Sequence, residues 1–283
     1  MNRRAFGLLA LSLGLAFQLK ADRFPYRAKV AAIEDVTPDT KRISFRLVDG
    51  EKFQFIPGQY VFLKVPEEYV KRWNERYKTT HDEVARPYSF AGSPSRLPLF
   101  DLIIKLVPAP LGKDVPPGLA STYVHTQLKV GDVVHFSEPI GNMRLSEDSG
   151  RPIVIVAGGT GAAPFVSLLE CRFESQLERN NEVYFFFGVR SRRDLFLHKR
   201  FQAWARTKKH FHYVPALSNP AREDDWQGNI GYIQTVVEKC TSPIEDAEAY
   251  LAGPPIMVRE VVKVLNAKGI SRERIHFDPF EVR

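Results

Sequence analysis

Gly158-Gly159-Thr160-Gly161-Ala162-Ala163-Pro164-Phe165 follows the apolar run Pro152–Ala157, and the reading of this junction decides the fold. A short, wholly apolar run is what a strand buried on both faces looks like, and glycines at its carboxyl end let a ligand approach the backbone with no Cβ in the way. The following stretch, Ala163–Leu177, reads as a helix. Its free N–H groups and positive dipole end would face whatever sits on the glycines, and an anionic pyrophosphate suits that position. The spacing is G-x-G-x-x-P rather than G-x-G-x-x-G, so this segment alone also fits a tight turn.

Outward from this junction the rhythm is strand, helix, strand, helix. Ile153–Ala157, Glu182–Gly188, His212–Leu217 and Ala249–Ala252 are short and β-rich, with helix-length segments between them. Such alternation predicts a parallel sheet covered on both faces. Before it, Tyr26–Leu145 carries strand-like runs at Arg27–Val36, Lys41–Leu47, Lys52–Phe55, Gln59–Val65, Tyr88–Gly92, Phe100–Leu106 and Val133–Ser137, with one helical stretch at Ala120–Gln127. This half predicts an antiparallel barrel or sandwich, with a hairpin turn at Asp49-Gly50. Pro66–Ala85 is dense in charge and reads as an excursion at the surface. The division is a leader at 1–25, a barrel domain at 26–147 and an α/β domain at 148–283.

A chain of 283 residues with 44% hydrophobic and 26% charged residues can fill two ordinary cores and has the composition of a folded protein. The net charge of +7 favours an acidic partner or an anionic surface. Basic residues are interleaved with acids and no readout motif occurs, so nucleic acid is not an expected partner. Cys171 and Cys240 are the only cysteines, too few for a cluster that needs about four thiolates, and the scattered histidines predict no metal site. Arg3-Arg4 precede an apolar run from Ala5 to Phe17, which as a helix spans roughly 20 Å against a hydrocarbon core of about 30 Å. A full membrane span is therefore not expected; a twin-arginine export signal, with a poor cleavage site at Leu19-Lys20-Ala21, and a retained membrane-surface helix over residues 3–20 both fit this segment.

Two further segments bring chemistry. Arg86-Pro87-Tyr88-Ser89 places a guanidinium, an aromatic ring and a hydroxyl on one strand, where alternation puts 86, 88 and 90 on one face and Ser89 on the other. Gly118-Leu119-Ala120-Ser121 lies where a proline-rich loop enters a helix, a second N-terminus suited to phosphate. In this order, with Phe55-Ile56-Pro57-Gly58-Gln59-Tyr60, Leu251-Ala252-Gly253-Pro254-Pro255 and Phe277-Asp278-Pro279-Phe280, the chain resembles the ferredoxin–NADP reductase superfamily. The insertion Val65-Pro66-Glu67-Glu68-Tyr69, with Val115-Pro116-Pro117-Gly118 and Leu217-Ser218-Asn219-Pro220 leading to Asp225-Trp226-Gln227-Gly228, resembles more specifically the flavin module of sodium-translocating NADH:quinone oxidoreductase F subunits.

The resemblance implies a six-stranded antiparallel FAD-binding barrel followed by a Rossmann-like, parallel-sheet NAD-binding domain. By that pattern Arg86 holds the FAD pyrophosphate, with Pro87 between it and the ring residue; Tyr88 stacks on the isoalloxazine; Ser89 approaches N5, the atom that receives hydride. Gly118, Leu119, Ala120 and Ser121 cradle phosphates through backbone N–H groups, and Lys105 replaces an arginine at a neighbouring phosphate contact. Gly159, Thr160, Gly161, Gly253 and Pro254 receive the dinucleotide, while Arg190 and Asp194 stand where the ribose is read. An acid there favours NADH, and nearby arginines leave NADPH open. Ala252 replaces the family cysteine against the nicotinamide, which implies slower rather than absent hydride transfer, and Phe280, or in second place Phe277, covers the flavin face. The implied activity is an NADH oxidoreductase that hands electrons to a separate acceptor: a ferredoxin, a cytochrome or a membrane quinone-reductase subunit, steered by surplus positive charge. The alternative is a flavin-bearing relay subunit without NADH turnover. The expected place is the cytoplasm, at the inner face of the membrane, or outside it if the twin arginines direct export. No ferredoxin module precedes the barrel in this sequence, so the acceptor is expected on another chain.

Overall fold

The computed structural model describes residues 23–48, 52–146, 149–174 and 180–277. Residues 1–22 of the leader, the Asp49-Gly50 turn, the 147/148 boundary and Phe280 lie outside the described residues. The first half is an antiparallel sheet of six strands, β1 (Tyr26–Thr37), β2 (Thr40–Leu47), β3 (Tyr60–Lys64), β4 (Ala85–Ser89), β5 (Leu99–Lys105) and β6 (Val133–Phe136), in the order β4-β3-β6-β1-β2-β5. The two ends of that order meet: Phe90 bridges Leu102, and the Ala91 N–H donates to the Asp101 carbonyl at 2.8 Å. Closure into a barrel removes the free edges that an open sheet would expose. Its interior is aromatic, with Phe45, Phe90, Phe100 and Phe136 fully buried and Phe55 stacked on Phe90 at 3.8 Å.

One expectation needs correction here. Lys52–Phe55 forms no strand; Phe53 and Phe55 still bury their rings, so the apolar alternation reflects burial without a hydrogen-bonded ladder. The charged stretch after Pro66 lies at the surface, as expected, and contains a helix the sequence reading did not foresee, α1 (Glu67–Tyr77). Val70 and Trp73 are buried on it, Trp73 lies 4.4 Å from Tyr77, and Tyr69 meets Tyr123 of α2 (Leu119–Thr126) at 5.2 Å. Tyr69, Val70, Trp73 and Tyr77 make one apolar stripe at helical spacing, hidden in the sequence by the charges between them.

The second half is a wholly parallel sheet in the order β10-β9-β8-β7-β11-β12, built from β7 (Ile153–Gly158), β8 (Val183–Val189), β9 (Phe211–Leu217), β10 (Asn229–Ile230), β11 (Glu248–Ala252) and β12 (Ile275–Phe277). Helices α3 (Ala163–Glu174), α4 (His198–Thr207), α5 (Ile233–Glu238) and α6 (Pro255–Ala267) connect and cover it. Separate buried clusters lie on its two faces, as the apolar runs predict.

The barrel and the parallel sheet meet along a polar seam. The Ser93 N–H donates to Glu170 Oε2 at 2.8 Å, Ser167 Oγ donates to the Gly92 carbonyl at 2.8 Å and Ser95 Oγ donates to Glu174 Oε2 at 3.0 Å. Glu170, almost wholly buried, also meets Arg200 at 2.5 Å. Just inside the barrel, Asp101 has no exposed side-chain surface and binds Arg42 at 2.5 Å, Ser44 Oγ at 2.6 Å and Arg96. Burial opposes ionisation of this carboxyl, but the Ser44 hydrogen bond and the Arg42 and Arg96 guanidiniums outweigh it and hold it below the ordinary range.

Candidate functional site

The parallel sheet runs outward from β7 through β8 and β9 to β10, then returns across β7 to β11 and β12. Connections therefore diverge on either side of the β7–β11 pair, where Ala157 stands opposite Ala252. Crevices at such reversals, outside the carboxyl ends of the strands, are where open α/β sheets bind ligands. The glycine-rich segment sits there. β7 ends at Gly158, a 3-10 turn runs from Gly159 to Ala162, and α3 follows at once from Ala163. The leading N–H groups of this helical entry have no intrahelical acceptor.

Gly161 is the tightest position. A Cβ added to it would lie 2.3 Å from the Ala252 carbonyl oxygen and 2.7 Å from the Gly253 nitrogen, so only glycine lets this turn lie against the end of β11. Gly159 faces open space instead, and Thr160 is half-buried. Gly253 and Pro254 link β11 to α6 directly beside Gly158. Ala252 is fully buried and packs in the same cluster as Ala157 and Ala162.

On the barrel, β4 carries the Arg86–Ser89 segment. Arg86 is exposed, with Nη1 turned onto the Ala85 carbonyl at 2.9 Å. Pro87 and Tyr88 are half-buried, and Tyr88 packs on the barrel core opposite Val61. Burial pushes the Tyr88 phenol well above its ordinary pKa, and the Arg86 charge only partly opposes this, so the ring stays neutral at any working pH. Ser89 is buried opposite Tyr60. β4 ends at Ser89, and Phe90 lies in the same barrel core that Tyr88 packs against.

Gly118 caps α2. A Cβ there would meet Ser121 Oγ at 2.8 Å and Val107 Cβ at 2.9 Å. The Ser121 hydroxyl donates to the Gly118 carbonyl at 2.9 Å and accepts from the Val107 N–H at 3.1 Å, so it closes the loop onto the helix. The first helical bond is from Thr122 to Gly118, which leaves the N–H groups of Leu119, Ala120 and Ser121 without intrahelical acceptors. Sequence reasoning missed Thr122, whose hydroxyl is buried and unpartnered among the described residues. A second hydroxyl beside Ser121 was the available signal.

Two predicted residues have other occupations. Lys105 pairs with Asp39 at 2.6 Å, and although burial opposes it, that ion pair lowers the Asp39 pKa. Asp194 Oδ2 accepts from the Ser191 N–H at 3.0 Å and Ser191 Oγ at 2.8 Å, closing the turn Arg192–Asp194. Arg190 is exposed just past β8. Among the described residues no group of three or more His, Cys, Asp or Glu is placed to hold a metal ion, and no helix is long and apolar enough to cross a membrane.

An oxidoreductase FAD-binding domain family matches residues 27–145, and an oxidoreductase NAD-binding domain family matches residues 155–263. The F subunit of a Na(+)-translocating NADH-quinone reductase of Pseudomonas aeruginosa (strain UCBPP-PA14) is 32% identical over 276 residues, covering 90% of this chain and 67% of its own. This chain belongs to the ferredoxin reductase family of FAD- and NAD-binding oxidoreductases. Among its other relatives, the F subunit of the same reductase in Mannheimia succiniciproducens is 31% identical, covering 85% of this chain and 63% of that protein, so the chain spans somewhat under two-thirds of that relative's length. The Amycolatopsis cytochrome P450 reductase GcoB superposes with a TM-score of 0.71 at 28% identity, covering 90% of this chain and 69% of that one. The FAD/NAD-binding domain of a Vibrio cholerae nitric oxide dioxygenase, at 23% identity and a TM-score of 0.74, shares the fold over 90% of this chain and 98% of its own. Both ferredoxin-reductase units are thus present as an antiparallel barrel and a parallel sheet.

Proposed function

We propose that this ferredoxin-reductase-family chain takes reducing equivalents from NADH at the β7–β11 crevice and delivers them singly to a separate acceptor protein. The observation that carries the reading is the join between the two halves. Ala91, two residues beyond Ser89, shares one buried cluster with Ala162 and Ala252, so the exit of β4 abuts the nucleotide crevice.

The residues present fit FAD. The free N–H groups of Leu119 to Ser121 and the orphaned Thr122 hydroxyl together suit a pyrophosphate, with the exposed Arg86 guanidinium able to fork onto paired oxygens. Bound FAD supplies two-electron exchange with a nicotinamide and one-electron exchange with an acceptor. The chain's own part is to hold, orient and exclude water. Tyr88 offers a neutral ring for stacking, Ser89 a buried hydroxyl at the strand end, and Gly159 open backbone to the dinucleotide, with Thr160 beside it and Gly161 holding the turn against β11. Gly253 and Pro254 form the opposite wall, and the polar seam fixes barrel and sheet in register, which is the condition for holding two rings at contact distance. Lys105, held by Asp39, is left to that ion pair in this reading. We place the working site on the cytoplasmic side, where NADH is available.

Anaerobic stopped-flow mixing with NADH and NADPH tests this. Bleaching of the flavin band by NADH is the expected result, and no bleaching by either nucleotide would leave only the relay reading. Tyr88→Ala is expected to weaken FAD retention about tenfold, the upper range for an aromatic stacking contact. Fluorescence titration of the apoprotein with FAD measures it, and unchanged affinity would remove Tyr88 from the flavin site.

A further inference from the structure

One face of the barrel serves neither the flavin strand nor the nucleotide crevice. In the closed order β4-β3-β6-β1-β2-β5, β1 stands three strands from β4 in either direction, so the outer face of β6, β1 and β2 is turned away from Arg86–Ser89. Strand register sorts what this face carries. His135, Arg27 and Val48 form one row across it, and Val133, Lys29 and Arg46 form the next row on the same side. All six are exposed, with Val48 at 50% and Val133 at 49%, and neither row holds an acid. Val130, 62% exposed in the loop before β6, extends the apolar part, and the Lys29 stem runs along Gly131 beside it. Asp132 is turned inward onto the Lys129 N–H at 2.9 Å. Farther along β2, Ser44 and Arg42 are taken by Asp101, but register sets Leu99 opposite Arg46. Neither Arg46 nor Lys29 has an ion-pair partner among the described residues.

We propose that this face docks on a membrane surface rich in anionic phospholipid, with Arg27, Lys29 and Arg46 at the headgroups and Val48, Val130 and Val133 seated between them. Charge and position along the chain both favour that occupant. Three cations and three apolar side chains on one sheet face match a surface that is anionic outside and apolar beneath. β1, the middle strand of the patch, is also the strand into which the N-terminal sequence runs. Phe24 is buried and Arg23 pairs with Glu83 at 3.0 Å, so the chain is fixed to the barrel just before β1 begins. The sequence ahead of it holds Arg3-Arg4 and the apolar run from Ala5 to Phe17, too short to cross a bilayer. Stable attachment at a surface takes two signals, an apolar element and a basic patch, and the barrel supplies the second. An acidic electron carrier is the less suited occupant, because the patch lies across the barrel from β4; that choice rests on the flavin reading of β4.

Vesicle flotation of the full chain tests this, with phosphatidylcholine vesicles lacking or containing phosphatidylglycerol. Lys29→Gln with Arg46→Gln is expected to weaken binding to the phosphatidylglycerol vesicles about thirtyfold, close to fivefold for each cation, while binding to phosphatidylcholine alone is unchanged. The same loss of charge from exposed positions on α4, Lys199→Gln with Arg206→Gln, is expected to change neither. Equal losses in the two double variants would mean that only net charge counts, and no loss in either would leave the patch without a lipid partner; both results overturn the proposal. A second measurement reads orientation. Val133→Trp is expected to be quenched by brominated phosphatidylglycerol beyond the level of the native tryptophans, and quenching equal to wild type overturns the docked face. Flavin content and reduction by NADH should stay at the wild-type level in the Lys29 and Arg46 variant. Failure of the wild-type protein itself to bind flavin would overturn the reading of β4 while leaving the vesicle result to stand or fall separately.

Discussion

Asp101→Ala is expected to destabilise the protein by about 3 kcal/mol, the lower end of the cost of breaking a buried ion pair. The choice of the lower end comes from the partners. Arg42 and Arg96 keep 19% and 36% of their side-chain surface exposed, so water can reach the two guanidiniums once the carboxylate is gone, although the carboxylate itself has none. Against a typical total of 5–15 kcal/mol this is a large loss, and urea unfolding monitored by tryptophan fluorescence measures it. The effect has a pH signature. The Asp101 carboxyl is depressed in the folded state, so its contribution is fully present above its unfolded value near pH 4 and is lost as pH falls through the lower, folded value. The stability difference between wild type and Asp101→Asn should therefore shrink below pH 4. A difference that stays constant with acidification would show that the carboxylate contributes by shape and not by charge.

Gly161→Val is expected to lower kcat/KM for NADH about 100-fold while leaving FAD content near the wild-type level. The added Cβ falls 2.3 Å from the Ala252 carbonyl oxygen, and ordinary contact begins at 3.4 Å, so the β7–α3 turn and the end of β11 must part by about 1 Å. Both neighbours are backbone, which cannot escape by a change of rotamer. Displacement of that size between reacting groups is what a loss of two orders of magnitude in rate requires. The flavin cradle at Gly118 lies on the barrel and is untouched. Steady-state kinetics with NADH beside the absorbance ratio of bound flavin to protein tests both halves, and wild-type kinetics in the variant would remove Gly161 from the nucleotide wall.

The sequence exposes some parts of this molecule more readily than others, for physical reasons. β7, β8 and β11 are legible because a strand buried on both faces must be continuously apolar, and the glycine-rich turn because a missing Cβ is visible in the residue type itself. α1 is hidden because its stripe of Tyr69, Val70, Trp73 and Tyr77 is diluted by seven charged neighbours in and around one short segment, Glu67, Glu68, Lys71, Arg72, Glu75, Arg76 and Lys78. The strands β10 and β12, of two and three residues, carry no periodicity to detect. Asp194 shows a different limit: spacing places an acid near a strand end but does not say whether its oxygens face a ligand or its own turn. Lys105 shows the same limit, since Asp39 lies across a strand pairing that the linear order does not reveal. The barrel contact Arg42–Asp101 and the seam contact Ser93–Glu170 join positions 59 and 77 residues apart, and no local pattern announces them.

One buried cluster takes Ala91, Ile103 and Met143 from the barrel domain and Ile155, Phe165 and Tyr250 from the parallel sheet and its helix α3, and charged hydrogen bonds stitch its margin. Melting of either half would uncover part of this shared cluster. Scanning calorimetry of the intact holoprotein should therefore record a single endotherm with matching calorimetric and van't Hoff enthalpies, and a binding event on either half should raise the melting temperature of both.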